Sequence, residues 1–131
     1  MDADVLIDTS VWISFFRKKD PGLTERIATL LKTGKAVYTG VIALELLNGA
    51  KGEKELRILR DAFETMRCAP ARESTYLQAG ELGYRLARKG QTMSTVDLLI
   101  AQIAIENKLS LMTFDDHFGT IAAHSPLALF R

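Results

Sequence analysis

Short apolar runs alternate along this chain with stretches whose apolar residues recur every three or four positions. The first pattern is that of a buried strand, the second that of a helix. Asp4 to Asp8 encloses Val5, Leu6 and Ile7, a run of strand length. Thr9 and Ser10 then offer hydroxyl caps for a short helix over Val11 to Phe16. Asp20-Pro21 reads as a helix start, with Pro in the first turn where its missing N–H costs nothing; Ile27, Leu30 and Leu31 supply the apolar stripe and Gly34 the stop. Lys35 to Thr39 predicts a second strand, Val41 to Asn48 a helix closed by Gly49, and Leu56, Leu59 and Phe63 the inner face of a charged helix. Met66 to Ala69 predicts a third strand stopped by Pro70.

A long helix is expected over Glu73 to Lys89, with Tyr76, Leu77, Leu82, Tyr84 and Leu86 available for packing and Gly90 as its end. Ser94 or Thr95 caps the next helix, Val96 to Asn107, which is apolar on most sides and therefore expected to be buried. Leu109 to Thr113 is a fourth strand, Phe114 to Ile121 a loop and short helix, and Leu127 to Phe130 a small edge strand. Strands alternating with helices predict an α/β fold: a three-layer α/β/α sandwich around a mostly parallel sheet of four or five strands.

With 131 residues, 47% of them hydrophobic and 25% charged, the chain is expected to form one domain over 1–131, and disorder is excluded. Seventeen Lys and Arg against sixteen Asp and Glu give a net charge of +1, which excludes a strongly basic nucleic-acid coat but not a local basic patch. Cys68 is the only cysteine, so no internal disulfide and no thiolate metal cluster can form. The start, Met1-Asp2-Ala3-Asp4, is acidic where a secretory signal would be basic. The most apolar run, Leu98 to Ile105, is interrupted by Gln102 and far shorter than the roughly 20 residues that span a bilayer. A cytoplasmic protein without membrane contact is expected.

The predicted architecture gathers acidic residues. In an open α/β sheet, strands end and helices begin along one edge, and ligands bind there. Asp8 ends the first strand, Glu45 lies in the first turns of the helix after the second, Asp97 opens the helix before the fourth, and Asp115 and Asp116 follow that strand directly. Each also has an ordinary structural role open to it. Asp8 suits a strand–helix junction, Ser94-x-x-Asp97 matches a capping box, and Asp115 or Asp116 suits a helix cap. Glu45 is harder to place, a carboxylate among Ile42, Ala43, Leu44, Leu46 and Leu47, though a solvated polar stripe with Asn48 is open to it.

Convergence at one rim has an energetic consequence. Two carboxylates about 5 Å apart repel by roughly 3 kcal/mol at an effective dielectric near 20, so several together take up protons or a cation. Oxygen donors suit Mg²⁺ or Mn²⁺, whereas zinc is disfavoured by a lone cysteine and by the spacing of His117 and His124. A hard ion held by carboxylates activates water for attack on a phosphodiester.

Four segments now resemble the acidic motifs of PIN-domain nucleases. They are Asp8-Thr9-Ser10-Val11-Trp12-Ile13; Val41 to Gly49 around Glu45; Thr95 to Ala104 around Asp97; and Leu111 to Phe118 around Thr113 and Asp115. Their order and spacing over almost the whole chain are most similar to VapC-type toxins. The resemblance implies an Mg²⁺-dependent endoribonuclease, with Mn²⁺ as a substitute, that leaves 5′-phosphate and 3′-hydroxyl ends. Asp8, Asp97 and Asp115 would hold the metal, Glu45 would ligate it or position water, and Thr9 and Thr113 would orient the carboxylates. Asp115 fits the family pattern better than Asp116. A cognate antitoxin, a homodimer and a toxin–antitoxin hetero-oligomer are implied partners, with RNA as substrate.

Other chemistries compete for these residues. A phosphatase of the haloacid-dehalogenase type also places Asp at a strand end but needs a second Asp two positions on, where Ser10 stands. A histidine acid–base pair, His117 with His124, would cleave RNA through its 2′-hydroxyl. A PIN-like module that binds RNA or protein without cutting is the non-enzymatic alternative. The basic residues Arg17-Lys18-Lys19 and Lys51, Lys54, Arg57 and Arg60 suit either phosphate contacts or a solvated face. Trp12, Phe15 and Phe16 read as core, or with Leu56, Leu59 and Phe63 as a groove for an antitoxin helix. His117 and His124 read as surface or capping residues, and Cys68 as a small buried hydrophobe.

Overall fold

The computed structural model describes residues 3–17 and 20–131; Met1 and Asp2, and Lys18 and Lys19 of the first basic cluster, lie outside them. Twelve elements follow in the order β1 (Val5–Ile7), α1 (Thr9–Arg17), α2 (Pro21–Lys32), β2 (Ala36–Thr39), α3 (Gly40–Asn48), α4 (Glu53–Thr65), β3 (Arg67–Ala69), α5 (Glu73–Arg88), α6 (Thr95–Glu106), β4 (Ser110–Met112), α7 (His117–Ala123) and β5 (Ala128–Leu129). All five strands run parallel in the order β3-β2-β1-β4-β5. The α/β sandwich expected from the alternation is thus present, with each strand within a residue or two of its predicted place.

Strand order explains the layers. From β1 the chain steps to β2 and β3 on one side, then crosses back to β4 and β5 on the other. Right-handed crossovers moving in opposite directions put their helices on opposite faces. Accordingly α1 packs on α2 and α3, and α3 on α4, whereas α5 packs on α6 and α6 on α7. Central β1 is buried along its length and edge strands β3 and β5 are largely exposed, the gradient expected when helices cover the middle of a sheet. Among the described residues no helix is long and apolar enough to cross a membrane.

Local signals hold where the chemistry is unambiguous. Asp20 caps α2 by accepting from the Gly22 and Leu23 amides, with Pro21 at the first helical position. Gly34 follows that helix at φ +72°, and the Lys35 amide returns to the Leu30 carbonyl, a left-handed turn that favours glycine. Ser94 caps α6 by accepting from the Asp97 amide.

Three expectations are corrected. Thr9 and Ser10 do not precede α1 but form its first two residues; the Asp8 carbonyl accepts from the Val11 and Trp12 amides, and the two hydroxyls are turned to carboxylates instead. On α5 the buried stripe is Thr75, Ala79, Leu82 and Leu86, while Tyr76, Leu77 and Tyr84 are exposed. Small residues face α6 there: a Cβ on Gly83 would stand 2.6 Å from Leu98 Cδ1, so the two helices approach too closely for a large side chain. Cys68 is exposed, because β3 is an edge strand and its first two residues lie uncovered.

Candidate metal centre

The strand order reverses between β1 and β4, and at that switch point an open α/β sheet presents its ligand crevice. Register fixes what stands there. Ile7 lies beside Met112, and the Asp8 amide donates to the Met112 carbonyl at 2.9 Å, so the residues leaving both strands are neighbours. Asp8 is only 5% exposed. Its Oδ2 accepts from Ser10 Oγ at 2.8 Å and from Thr113 Oγ1 at 2.9 Å. Both hydroxyl protons are thereby committed to one carboxylate oxygen, which fixes the orientation of Asp8.

The same hydroxyls fix the loop after β4. Ser10 Oγ accepts from the Phe114 amide at 3.1 Å, and Thr113 Oγ1 accepts from the Asp115 amide at 3.0 Å. Asp115 Oδ1 in turn accepts from the His117 amide at 2.9 Å. Asp97 enters from the first turn of α6, half-buried, with His117 Nδ1 3.6 Å from its Oδ2 and 3.4 Å from Asp115 Oδ1. Ligand atoms of Asp97, Asp115 and His117 all lie within 4.8 Å of one another.

Electrostatics follow from that crowding. Burial pushes the Asp97 carboxyl above the usual carboxylate range, and the negative charges of Asp115 and Asp8 push it further; the Ser94 hydrogen bond and His117 oppose this. Burial and two neighbouring carboxylates thus both disfavour the charged form of Asp97. Oxygen-rich, anionic and partly buried, the site fits a hard divalent cation.

The structure groups Asp97 and Asp115 with His117; Asp8 lies outside that group but close enough for its charge to act on Asp97, and Thr113 links it to Asp115. Glu45 is exposed on α3, and its Oε1 accepts from Thr9 Oγ1 at 2.9 Å, so the residue next to Asp8 tethers it to the site. Thr9 bonds Glu45, and Thr113 bonds Asp8. Asp116 is exposed at the start of α7 and lies outside the metal-capable group, which favours Asp115 over it. Two participants are not evident from the sequence. Ser10, which reads as a helix cap, bonds Asp8 instead. His117 reads as a surface residue, and its side chain is 66% exposed, yet its ring faces two carboxylates. The only available signal is spacing: each lies two residues after an acidic position.

A groove of about 590 Å³ runs away from Glu45 between α1 and α4, lined by Ile13, Phe16 and Ile58 with Arg17, Lys51 and Lys54. Leu59 and Phe63, expected in such a groove, are buried beneath it. Trp12 is core, packed against Phe15, Phe16 and Phe63. His124 sits at the far end of α7 from His117, seven positions on, which is about 10 Å at 1.5 Å per residue. The two do not form one acid–base pair.

Other proteins are similar to this chain in sequence or in fold. Ribonuclease VapC11 of Mycobacterium tuberculosis is 28% identical over 122 residues, covering 90% of this chain and 91% of that protein. Ribonuclease VapC21 of the same organism is 27% identical over 129 residues, covering 94% and 89%. Among solved structures, DNA-bound VapBC from Salmonella typhimurium superposes with a TM-score of 0.81 at 20% identity, covering 98% of this chain and 97% of that one. VapBC2 from Rickettsia felis, bound to a DNA fragment from its promoter, gives 0.78 at 22% identity, covering 96% of each chain. The sequence profile of the PIN domain matches residues 5–123, from the first residue of β1 to the last of α7, and on that match the chain belongs to the PIN-domain family.

Proposed function

We propose that this chain is a divalent-metal-dependent endoribonuclease and the toxin of a VapBC-type toxin–antitoxin pair. One observation supports the reading: where the parallel sheet reverses its strand order, Asp97 and Asp115 stand close together, the charge of Asp8 acts on Asp97, and two hydroxyls bond the Asp8 carboxylate. The names of the relatives, ribonucleases VapC11 and VapC21, supply the substrate class, and the VapBC structures supply the partner.

Asp8, Asp97 and Asp115 would hold the ion, Mg²⁺ with Mn²⁺ as a substitute. When bound, such an ion lowers the pKa of a coordinated water and offsets charge on the scissile phosphate. Ser10 and Thr113 hold the Asp8 carboxylate in one orientation. Thr9 holds Glu45 at the rim, where its exposed carboxylate positions or deprotonates a water on the substrate side. Arg17, Lys51 and Lys54 along the adjoining groove are placed for RNA phosphates or for an acidic stretch of an antitoxin, while Ile13, Phe16 and Ile58 suit an apolar helix face. The exposed Tyr76, Leu77 and Tyr84 on α5 offer an apolar surface for the homodimer that the resemblance implies. RNA as substrate places the activity in the cytoplasm. A non-catalytic binding module is the weaker reading, since none of the four acidic positions is replaced.

End-group analysis of RNA incubated with the purified chain tests the proposal. The expected fragments carry 5′-phosphate and 3′-hydroxyl ends, appear with Mg²⁺ or Mn²⁺ and vanish in EDTA. A 2′,3′-cyclic phosphate, or cutting that persists in EDTA, would overturn metal hydrolysis; RNA bound but uncut would favour the binding module.

A further inference from the structure

The geometry points to His117 as a nitrogen ligand of the divalent ion, one that biases the site towards Mn²⁺ and related transition ions over Mg²⁺. This rests on the metal-centre reading above. His117 Nδ1 stands 3.4 Å from Asp115 Oδ1 and 3.6 Å from Asp97 Oδ2. Those separations are too long for good hydrogen bonds. They suit ligands of a shared ion: two atoms each about 2.1 Å from an octahedral ion stand about 3.0 Å apart when adjacent and about 4.2 Å when opposite. One ligand atom from each of the three residues falls within 4.8 Å of the others, a little beyond the opposite-ligand span, so a small side-chain adjustment would let them share an ion.

The ring is also held in place. The His117 amide bonds Asp115 Oδ1, which folds the chain back over the acidic residue. One position on, Phe118 is fully buried, and with Ile121 it pins α7 to the core. His117 therefore stays beside the carboxylates although most of its ring meets solvent. Imidazole binds Mn²⁺ and later transition ions better than it binds Mg²⁺, which keeps oxygen ligands and water. A site with three carboxylates and one imidazole should discriminate between them where an all-carboxylate site does so less.

A second role fits the same position with the opposite consequence. A protonated His117 would neutralise Asp97 and Asp115, and its removal would strengthen the binding of any divalent cation. The sign of one substitution separates the two. In His117→Ala, Mn²⁺ affinity, followed by the EPR signal of the free ion, should fall about tenfold, the effect expected when a group supporting a bound metal is lost. Mg²⁺ affinity, measured by competition, should change by less than about twofold. Pulsed EPR of Mn²⁺ on the full wild-type chain should show a ¹⁴N coupling that His117→Ala abolishes and His124→Ala retains. His117 is exposed and its bond to Asp115 is made by the backbone, so the variant should fold. Rising Mn²⁺ affinity in His117→Ala, or Mn²⁺ bound in an Asp97-dependent way without nitrogen coupling, would overturn the inference and leave the metal centre standing. Wild-type protein that binds no Mn²⁺, or binds it equally after Asp97→Asn, would remove both.

Discussion

Replacing Asp97 by Asn should lower RNA cleavage by at least about 100-fold, some 3 kcal/mol of transition-state stabilisation, while the metal-free protein becomes no less stable. The two effects have one origin. Asp97 is half-buried at the start of α6, and its carboxyl is held above its ordinary value of 3.8 by burial and by Asp115 and Asp8. Asparagine keeps the shape and removes the charge. With its folded pKa raised, Asp97 contributes stability that is fully present below the unfolded value and lost as pH rises through the folded one. At neutral pH the metal-free wild type therefore carries an unfavourable charge, and lowering the pH into the carboxylate range relieves it. The Asp97→Asn variant lacks that contribution, so its metal-free stability should vary less with pH across this window. The Ser94 cap is retained, because the hydrogen bond it accepts comes from the backbone amide of position 97.

Metal reverses the comparison. An ion at 100 times its Kd stabilises a folded protein by about 2.7 kcal/mol, so Mg²⁺ or Mn²⁺ should raise the wild-type Tm and leave the Asp97→Asn variant nearly unmoved. Thermal melts with and without the ion, at two pH values, check each part. A variant that keeps full activity, or is stabilised by metal as much as wild type, would contradict the role given to Asp97.

The second large effect lies beneath the site. Trp12 is 2% exposed, stacked on Phe16 and met edge-on by Phe15 and Phe63. Trp12→Ala should cost about 3–5 kcal/mol, the usual range for emptying an aromatic position in a core. The indole Nε1 is buried without a hydrogen-bond partner among the described residues, and such an orphaned donor costs about 1–3 kcal/mol. Trp12→Phe removes the orphan while keeping ring contacts, so it should cost clearly less than Trp12→Ala. Urea unfolding of both variants tests the difference; equal losses would mean that ring contacts at position 12 contribute little. Helix α1 also carries Thr9 and Ser10 to the acidic cluster, so loosening it in Trp12→Ala should weaken metal binding too.

These residues show where sequence pattern reaches and where it stops. Asp8, Asp97 and Asp115 are legible because each sits at a strand end or helix start, and a parallel sheet sends all such positions to one edge. Glu45 is legible as a carboxylate in an apolar stretch, but not its separation from the others, which depends on how α3 leaves β2. Ser10 is legible only as a cap: a serine two residues after an aspartate bonds backbone or carboxylate equally well, and tertiary register decides which. His117 is hidden for a similar reason, since nothing in a lone histidine fixes the direction of its ring. On α5 the large apolar residues draw the expectation of burial to Tyr76, Leu77 and Tyr84. The helix instead turns Thr75, Ala79, Leu82 and Leu86 inward, and close approach to Leu98 leaves no room for a side chain at Gly83. Cys68 shows the matching limit for strands, because burial depends on whether a strand is central or at the edge, and sheet order is not local information.

Anomalous diffraction from crystals of the wild-type chain grown with Mn²⁺ would test the central claim most directly. The expected result is a strong peak among the carboxylates of Asp8, Asp97 and Asp115 at the carboxyl ends of β1 and β4. An ion found elsewhere on the surface, with those three side chains unchanged and bound only to water, would contradict it.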